Sequence, residues 1–229
     1  IYDGTAAGEL ESFGDDRIEG DELVIVFDVS FTQYTVGENL DVQITNPRFE
    51  ECPDSGNYVL PGGTNYSIGN IVPRQLNLTN FIAEDKVYDG NTFVFAAFDD
   101  DRIGMDELDF SIQASFDDKN VGENKPVNIS SVEITGGVHK DNYVLANTTG
   151  ETSASITPRD LSVSDFTAVD KTYDGTVTVT IYNFLDSRVA GDVLEFSYLA
   201  EFEDRHMGTD KTVLISNISI SGGADASNY

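Results

Sequence analysis

The chain has 229 residues, 13 of them basic and 41 acidic, for a formal net charge of −28. That balance excludes nucleic-acid binding, because phosphate affinity rests on Lys and Arg, and it excludes adhesion to an anionic bilayer. A single cysteine, Cys52, rules out a disulfide framework within the chain, and no run of 18 apolar residues predicts membrane insertion.

Read from the N-terminus, Tyr2-Asp3-Gly4 returns as Tyr88-Asp89-Gly90 and as Tyr173-Asp174-Gly175. Other landmarks keep the same register of about 85 residues. Asp16-Arg17-Ile18 returns as Asp101-Arg102-Ile103 and, more weakly, as Ser187-Arg188-Val189. Val36-Gly37-Glu38-Asn39 returns as Val121-Gly122-Glu123-Asn124 and as Met207-Gly208-Thr209-Asp210. Asn57-Tyr58 returns as Asn142-Tyr143 and as Asn228-Tyr229, and Ile71-Val72-Pro73-Arg74 as Ile156-Thr157-Pro158-Arg159. A fixed period of this kind defines tandem modules. Three are expected, over residues 1–74, 75–159 and 160–229, the outer two incomplete. The chain therefore reads as part of a longer polypeptide.

Within each module the clearest strand follows the acidic turn. Leu23, Ile25, Phe27, Val29 and Phe31 alternate with mostly polar residues; so do Leu108, Phe110, Ile112, Ala114 and Phe116, and again Leu194, Phe196, Tyr198, Ala200 and Phe202. Period two over nine residues predicts a half-buried strand. A second strand follows a Gly-containing turn and changes phase between Ile129 and Val132, and between Ile215 and Ile218, which predicts a β-bulge. About six short strands per module, separated by Gly, Asn and Asp, predict an all-β fold. The expected form is tandem small β-sandwich-like (Ig-like) modules arranged as an elongated rod. The alternative is a β-grasp-like module with one short helix, for which Phe98–Leu108 is the candidate segment.

An activity carried by every module places its residues at equivalent positions. His139, His206 and Cys52 recur in no other copy, and they form no nucleophile–base pair by sequence. No zinc, P-loop or nucleophile-elbow spacing is present, so the chain is not expected to be an enzyme. The turn residues Tyr88, Asp89, Gly90, Tyr173, Asp174 and Gly175 do recur. There Asp bonds its own backbone two residues on and Gly supplies positive φ. The tyrosine ring is expected to pack and to leave its hydroxyl for a partner. The densest acidic cluster is Asp99, Asp100, Asp101, Asp106 and Glu107. Calcium takes six to eight oxygen ligands, so these five carboxylates are candidates for a structural calcium ion, with a solvated turn as the alternative. No other cofactor is expected.

Asp85-Lys86-Val87-Tyr88-Asp89-Gly90, Phe116-Asp117-Asp118-Lys119-Asn120-Val121-Gly122, Asn142-Tyr143-Val144-Leu145 and Ile156-Thr157-Pro158-Arg159 together resemble the YDG-type repeat of large bacterial surface and haemagglutinin-like adhesins. The resemblance covers essentially the whole chain. It implies secreted, extended proteins on the bacterial cell surface, whose repeats act as a stalk or spacer for a distal binding region, and it carries no catalytic residues. Each repeat then has its neighbours in the same chain as partners. A second reading is a module that binds carbohydrate or host-cell protein through exposed tyrosines such as Tyr66, Tyr88 and Tyr182. A third is an accessory region of a secreted enzyme.

Overall fold

The computed structural model describes all 229 residues, and the fold is all-β. By contact the chain divides into two compact units. One comprises residues 1–80, 98–111 and 132–148; the other comprises 81–97, 112–131 and 149–229. No helix is long and apolar enough to cross a membrane.

In the first unit, β1 (Ile25–Phe31), β2 (Gly37–Phe49) and β3 (Asn65–Ile71) form an antiparallel sheet in that order. The short β4 (Arg74–Leu76) pairs in parallel with β10 (Tyr143–Leu145), Arg74 opposite Tyr143. Between them in the chain come β5 (Leu78–Ala83), β6 (Lys86–Val87), β7 (Ala96–Asp100), β8 (Asp109–Phe116) and β9 (Gly122–Gly136). β5 pairs with β7, and β11 (Gly150–Thr157) completes a four-stranded sheet of order β6-β11-β9-β8. In the second unit, β12 (Val163–Ala168) pairs with β13 (Ile181–Asp186), and β14 (Glu195–Phe202) pairs with β15 (Val213–Gly222).

The alternation expected from sequence is present in the burial. Along β8, Phe110, Ile112, Ala114 and Phe116 turn inward while Asp109, Ser111 and Gln113 are exposed. Along β14, Phe196, Tyr198 and Ala200 turn inward, with Ser197 and Leu199 outward. The core of the third repeat gathers Val179, Ile181 and Ala200, flanked by Phe166, Phe184, Tyr198 and Phe202. Phe184 stacks on Phe166 at 5.2 Å and meets the Phe196 ring edge-on at 5.1 Å. Such pairs add about 0.5–1.5 kcal/mol each beyond the area they bury.

The phase changes are bulges. The β1–β2 register shifts between Val26 and Asp28, and the β14–β15 register between Ser197 and Leu199. The extra residue falls at Asn46 in β2 and Asn217 in β15, with φ of 48° and 53°. The recurring Gly-x-Asn/Asp also has a backbone cause. Asn39, Asn124 and Asp210 sit at φ 53°, 49° and 52°, a left-handed conformation that Asn and Asp tolerate and β-branched residues resist.

The β-grasp alternative and its short helix do not appear. Helical structure is limited to three 3-10 turns, Ser55–Asn57, Lys140–Asn142 and Ala226–Asn228. Phe98–Leu108 instead holds the end of β7 and a loop. The Asp100 carboxylate accepts from the Arg102 backbone N–H at 3.1 Å and from its Nε at 2.8 Å. Local side-chain bonds of this kind compete with helix formation.

Candidate functional site

The turn at each Tyr-Asp-Gly is built the same way. The aspartate Oδ1 accepts the backbone N–H two residues on, from Asp3 to Thr5 (2.8 Å), Asp89 to Asn91 (3.1 Å) and Asp174 to Thr176 (2.9 Å). Gly4, Gly90 and Gly175 take φ of 78°, 81° and 79°. Lys171 binds Asp174 at 2.9 Å, and this ion pair with the turn N–H bonds holds the Asp174 carboxyl down at about 2.

What differs between copies is where the tyrosine goes. Tyr2 is 1% exposed and Tyr88 0%, but Tyr173 is 59% exposed. In the first unit the Tyr2 hydroxyl donates to Asp106 Oδ2 at 2.9 Å, and the Tyr143 hydroxyl donates to the same oxygen at 2.6 Å. Tyr143 also accepts the Ile103 N–H at 2.9 Å. The two rings meet edge-on with centroids 5.5 Å apart. Beside them, Asn142 Oδ1 accepts the Val36 N–H at 3.0 Å.

The second unit repeats this arrangement residue for residue, with the two phenols on different oxygens of the carboxylate. Tyr88 donates to Asp192 Oδ1 at 3.0 Å and Tyr229 to Asp192 Oδ2 at 2.6 Å. Tyr229 accepts the Val189 N–H at 2.7 Å, and its ring lies 5.6 Å from Tyr88. Asn228 Oδ1 accepts the Val121 N–H at 3.0 Å. Here Lys119 is added, 3.0 Å from both Asp192 and Asp225 and 5.6 Å from the Tyr88 ring centre. Backbone pairing accompanies the side chains. Tyr2 N–H donates to Val72 O and Tyr88 N–H to Thr157 O, each at 2.9 Å. Each joint therefore seats the tyrosine corner of one repeat in an aspartate–tyrosine–asparagine socket of the next.

The electrostatics follow from that geometry. Burial, reinforced by the bond to Asp106, pushes the Tyr143 phenol up to about 12. Burial and Asp192 do the same to Tyr229. Burial acts to raise Asp192, but hydrogen bonds from Tyr229, Lys119 and Tyr88 outweigh it and hold the carboxyl below its usual value. The first copy has the same socket. Tyr58 donates to Asp21 at 2.6 Å and accepts the Ile18 N–H at 2.9 Å, but no tyrosine corner donates to Asp21.

The five acidic candidates are not brought together as ligands. Asp99 accepts from Asn80 Nδ2 at 2.9 Å, Asp100 is clasped by Arg102, and Asp101 accepts from the Asn77 backbone and side chain, each at 2.8 Å. Asp106 belongs to the tyrosine joint, and Glu107 is exposed. No group of three or more His, Cys, Asp or Glu side chains is placed to hold a metal ion. Tyr88, expected among exposed binding tyrosines, is instead fully buried because its hydroxyl has Asp192 to bond. Tyr66 and Tyr182 are exposed.

Sequence reasoning singled out Asp100 and Asp106 but missed their roles and their equivalents in the other copies. Asp15, Asp100 and Asp186 clasp Arg17, Arg102 and Arg188 through Nε at 2.7, 2.8 and 2.7 Å. Four residues after each arginine stands the socket acid, Asp21, Asp106 or Asp192. The signal that finds them is the spacing Asp-x-Arg-x-x-x-Asp, present in all three copies. His139 also gains a role: its Nδ1 accepts the Glu107 N–H at 3.1 Å, as Asp54 and Asp225 accept from Glu22 and Val193, each at 3.0 Å.

Fold and site together define a tandem-repeat, all-β protein whose recurring polar residues build joints between repeats. Compared with known families, the chain matches the YDG domain over residues 72–150 and again over 157–229, and it belongs to that family. No curated protein and no solved structure matches it.

Proposed function

We propose that this chain is a structural spacer in a secreted or cell-surface bacterial protein, holding a distal binding region away from the cell. The observation that carries the reading is the joint made twice at the same offset, Tyr2 to Asp106 and Tyr88 to Asp192, each 104 residues apart. A carboxylate shared by two phenols, buried at Asp192 and half-buried at Asp106, fixes the angle at which one repeat meets the next, because charge-assisted bonds are short and directional. Net charge of −28 suits an exterior, soluble surface. The neighbouring repeats are the partners, and the chemistry is mechanical rather than catalytic.

Small-angle scattering on the chain tests this. A compact 229-residue protein would have a radius of gyration of roughly 17 Å. A spacer predicts a value well above that and a distance distribution with a long tail. A compact profile would sink the reading.

A further inference from the structure

The two joints share one plan but differ at a pair of facing positions. On the donating side, counted back from Val36 and Val121, Tyr34 stands where Lys119 stands. On the accepting side, counted back from Asn142 and Asn228, His139 stands where Asp225 stands. The first joint therefore combines Tyr34 with Asp106 and His139, and the second combines Lys119 with Asp192 and Asp225.

In the second joint the Lys119 ammonium lies 3.0 Å from Asp192 Oδ1 and 3.0 Å from Asp225 Oδ1, and both carboxylates are largely withdrawn from water. Two carboxylates this close oppose each other's charge unless a cation lies between them. The Val193 N–H and Lys119 hold the Asp225 carboxyl below its usual value, against the charge of Asp192. The first joint makes no such demand. Its socket carboxylate, Asp106, takes both phenols on one oxygen and faces His139 Nε2 at 3.7 Å with the other. Locally, His139 and Asp225 do the same work, each accepting one backbone N–H: Glu107 to His139 Nδ1 at 3.1 Å, Val193 to Asp225 Oδ2 at 3.0 Å. What separates them is the charge each turns toward the incoming repeat.

We infer that Lys119 and Asp225 form a pairing key: the second repeat fits a YDG repeat whose socket presents two carboxylates, at the positions of Asp192 and Asp225, and discriminates against a socket of the Asp106–His139 kind. Specificity is a difference of affinities, and a charge left unpaired in the wrong combination supplies it. A tyrosine in the second joint would leave two facing carboxylates without a cation, and a lysine in the first would meet one socket carboxylate instead of two. The order of repeats is then written in their joints. This rule rests on the joints coupling neighbouring repeats, as proposed above, but an elongated chain with interchangeable joints would still be a spacer, so the two readings fail separately.

Hydrogen exchange on the intact chain at pH 7 tests the key. The Val121 N–H, accepted by Asn228 Oδ1, reads the second joint, and the Val36 N–H, accepted by Asn142 Oδ1, reads the first. Lys119→Tyr should speed exchange at Val121 at least fivefold and Asp225→His at least threefold. The double variant recreates the first joint's combination and should exchange no faster than Lys119→Tyr alone, because the two residues act as one pair. The converse swap asks whether the key can be transplanted. His139→Asp should speed exchange at Val36 at least threefold, and adding Tyr34→Lys should slow it again at least twofold. Single variants without effect, a double variant faster than Lys119→Tyr, or a first joint that Tyr34→Lys does not slow would each overturn the inference.

Discussion

Removing one hydroxyl from the second joint has a calculable effect. Tyr88→Phe keeps the ring, its 5.6 Å contact with Tyr229 and the burial, and deletes only the donor to Asp192. A hydrogen bond to a charged group contributes about 1.5–3 kcal/mol. Asp192 retains Tyr229 and Lys119 as partners, so the low end applies, about 1.5–2 kcal/mol. For a unit of this size that lowers Tm by roughly 5–10 °C. Tyr173→Phe provides the control within the same motif: its side chain is 59% exposed, so its cost should stay within about 0.5 kcal/mol. Urea unfolding of the two variants beside the parent chain measures both. If Tyr88→Phe and Tyr173→Phe cost the same, the joint contributes nothing and the reasoning fails.

Other consequences are as direct. Tyr143 and Tyr229 have phenols raised to about 12 from 10.0. A raised folded value stabilises the fold fully below pH 10 and is lost as pH climbs through 12, so Tm measured by circular dichroism should fall steeply over that window. A flat profile from pH 10 to 12 would contradict it. At Gly137, an added Cβ would lie 2.2 Å from Glu107 O with φ at 97°. Gly137→Ala should therefore cost more than about 2 kcal/mol by urea midpoint, more than an ordinary surface change. Asn124→Val, at φ 49°, should cost roughly 1–2 kcal/mol, while Asn124→Gly should be close to neutral. Since Asp99, Asp100 and Asp101 already have donors, adding calcium after chelation should leave Tm unchanged, and a rise of several degrees would show that those bonds give way to the ion.

Much of the fold was legible because it is local. Phe110, Ile112, Ala114 and Phe116 betray their strand by alternation, and the slip between Ile215 and Ile218 marks the bulge at Asn217. Two things were not legible in the same way. Density of acid singled out Asp99, Asp100, Asp101, Asp106 and Glu107 together, whereas spacing around Arg17, Arg102 and Arg188 separates Asp100 and Asp106 from the rest. Asp192 stands outside any dense acidic cluster, yet it takes bonds from Tyr88, Tyr229 and Lys119. The joint itself spans 104 residues, and no local period reports a contact that distant. Its trace in the sequence is the constant offset between each buried tyrosine and its aspartate, which becomes meaningful only once a structure pairs them. The alternative that placed a short helix in Phe98–Leu108 fails for a related reason, since the Asp100–Arg102 clasp there is a side-chain feature.

The central claim is that the tyrosine joint couples one repeat to the next. Native-state hydrogen exchange on Tyr88→Ala tests it most directly. Tyr88 belongs to the second repeat, while the Val179 N–H, bonded to Ala200 O at 3.2 Å, and the Phe202 N–H, bonded to Val177 O at 2.8 Å, report on the core of the third. Loss of the buried ring and its bond should speed exchange at both amides by at least tenfold, about 1.4 kcal/mol of opening free energy. Rates unchanged within twofold would mean that the third repeat stands without its neighbour, and the joint would then be a contact rather than a coupling.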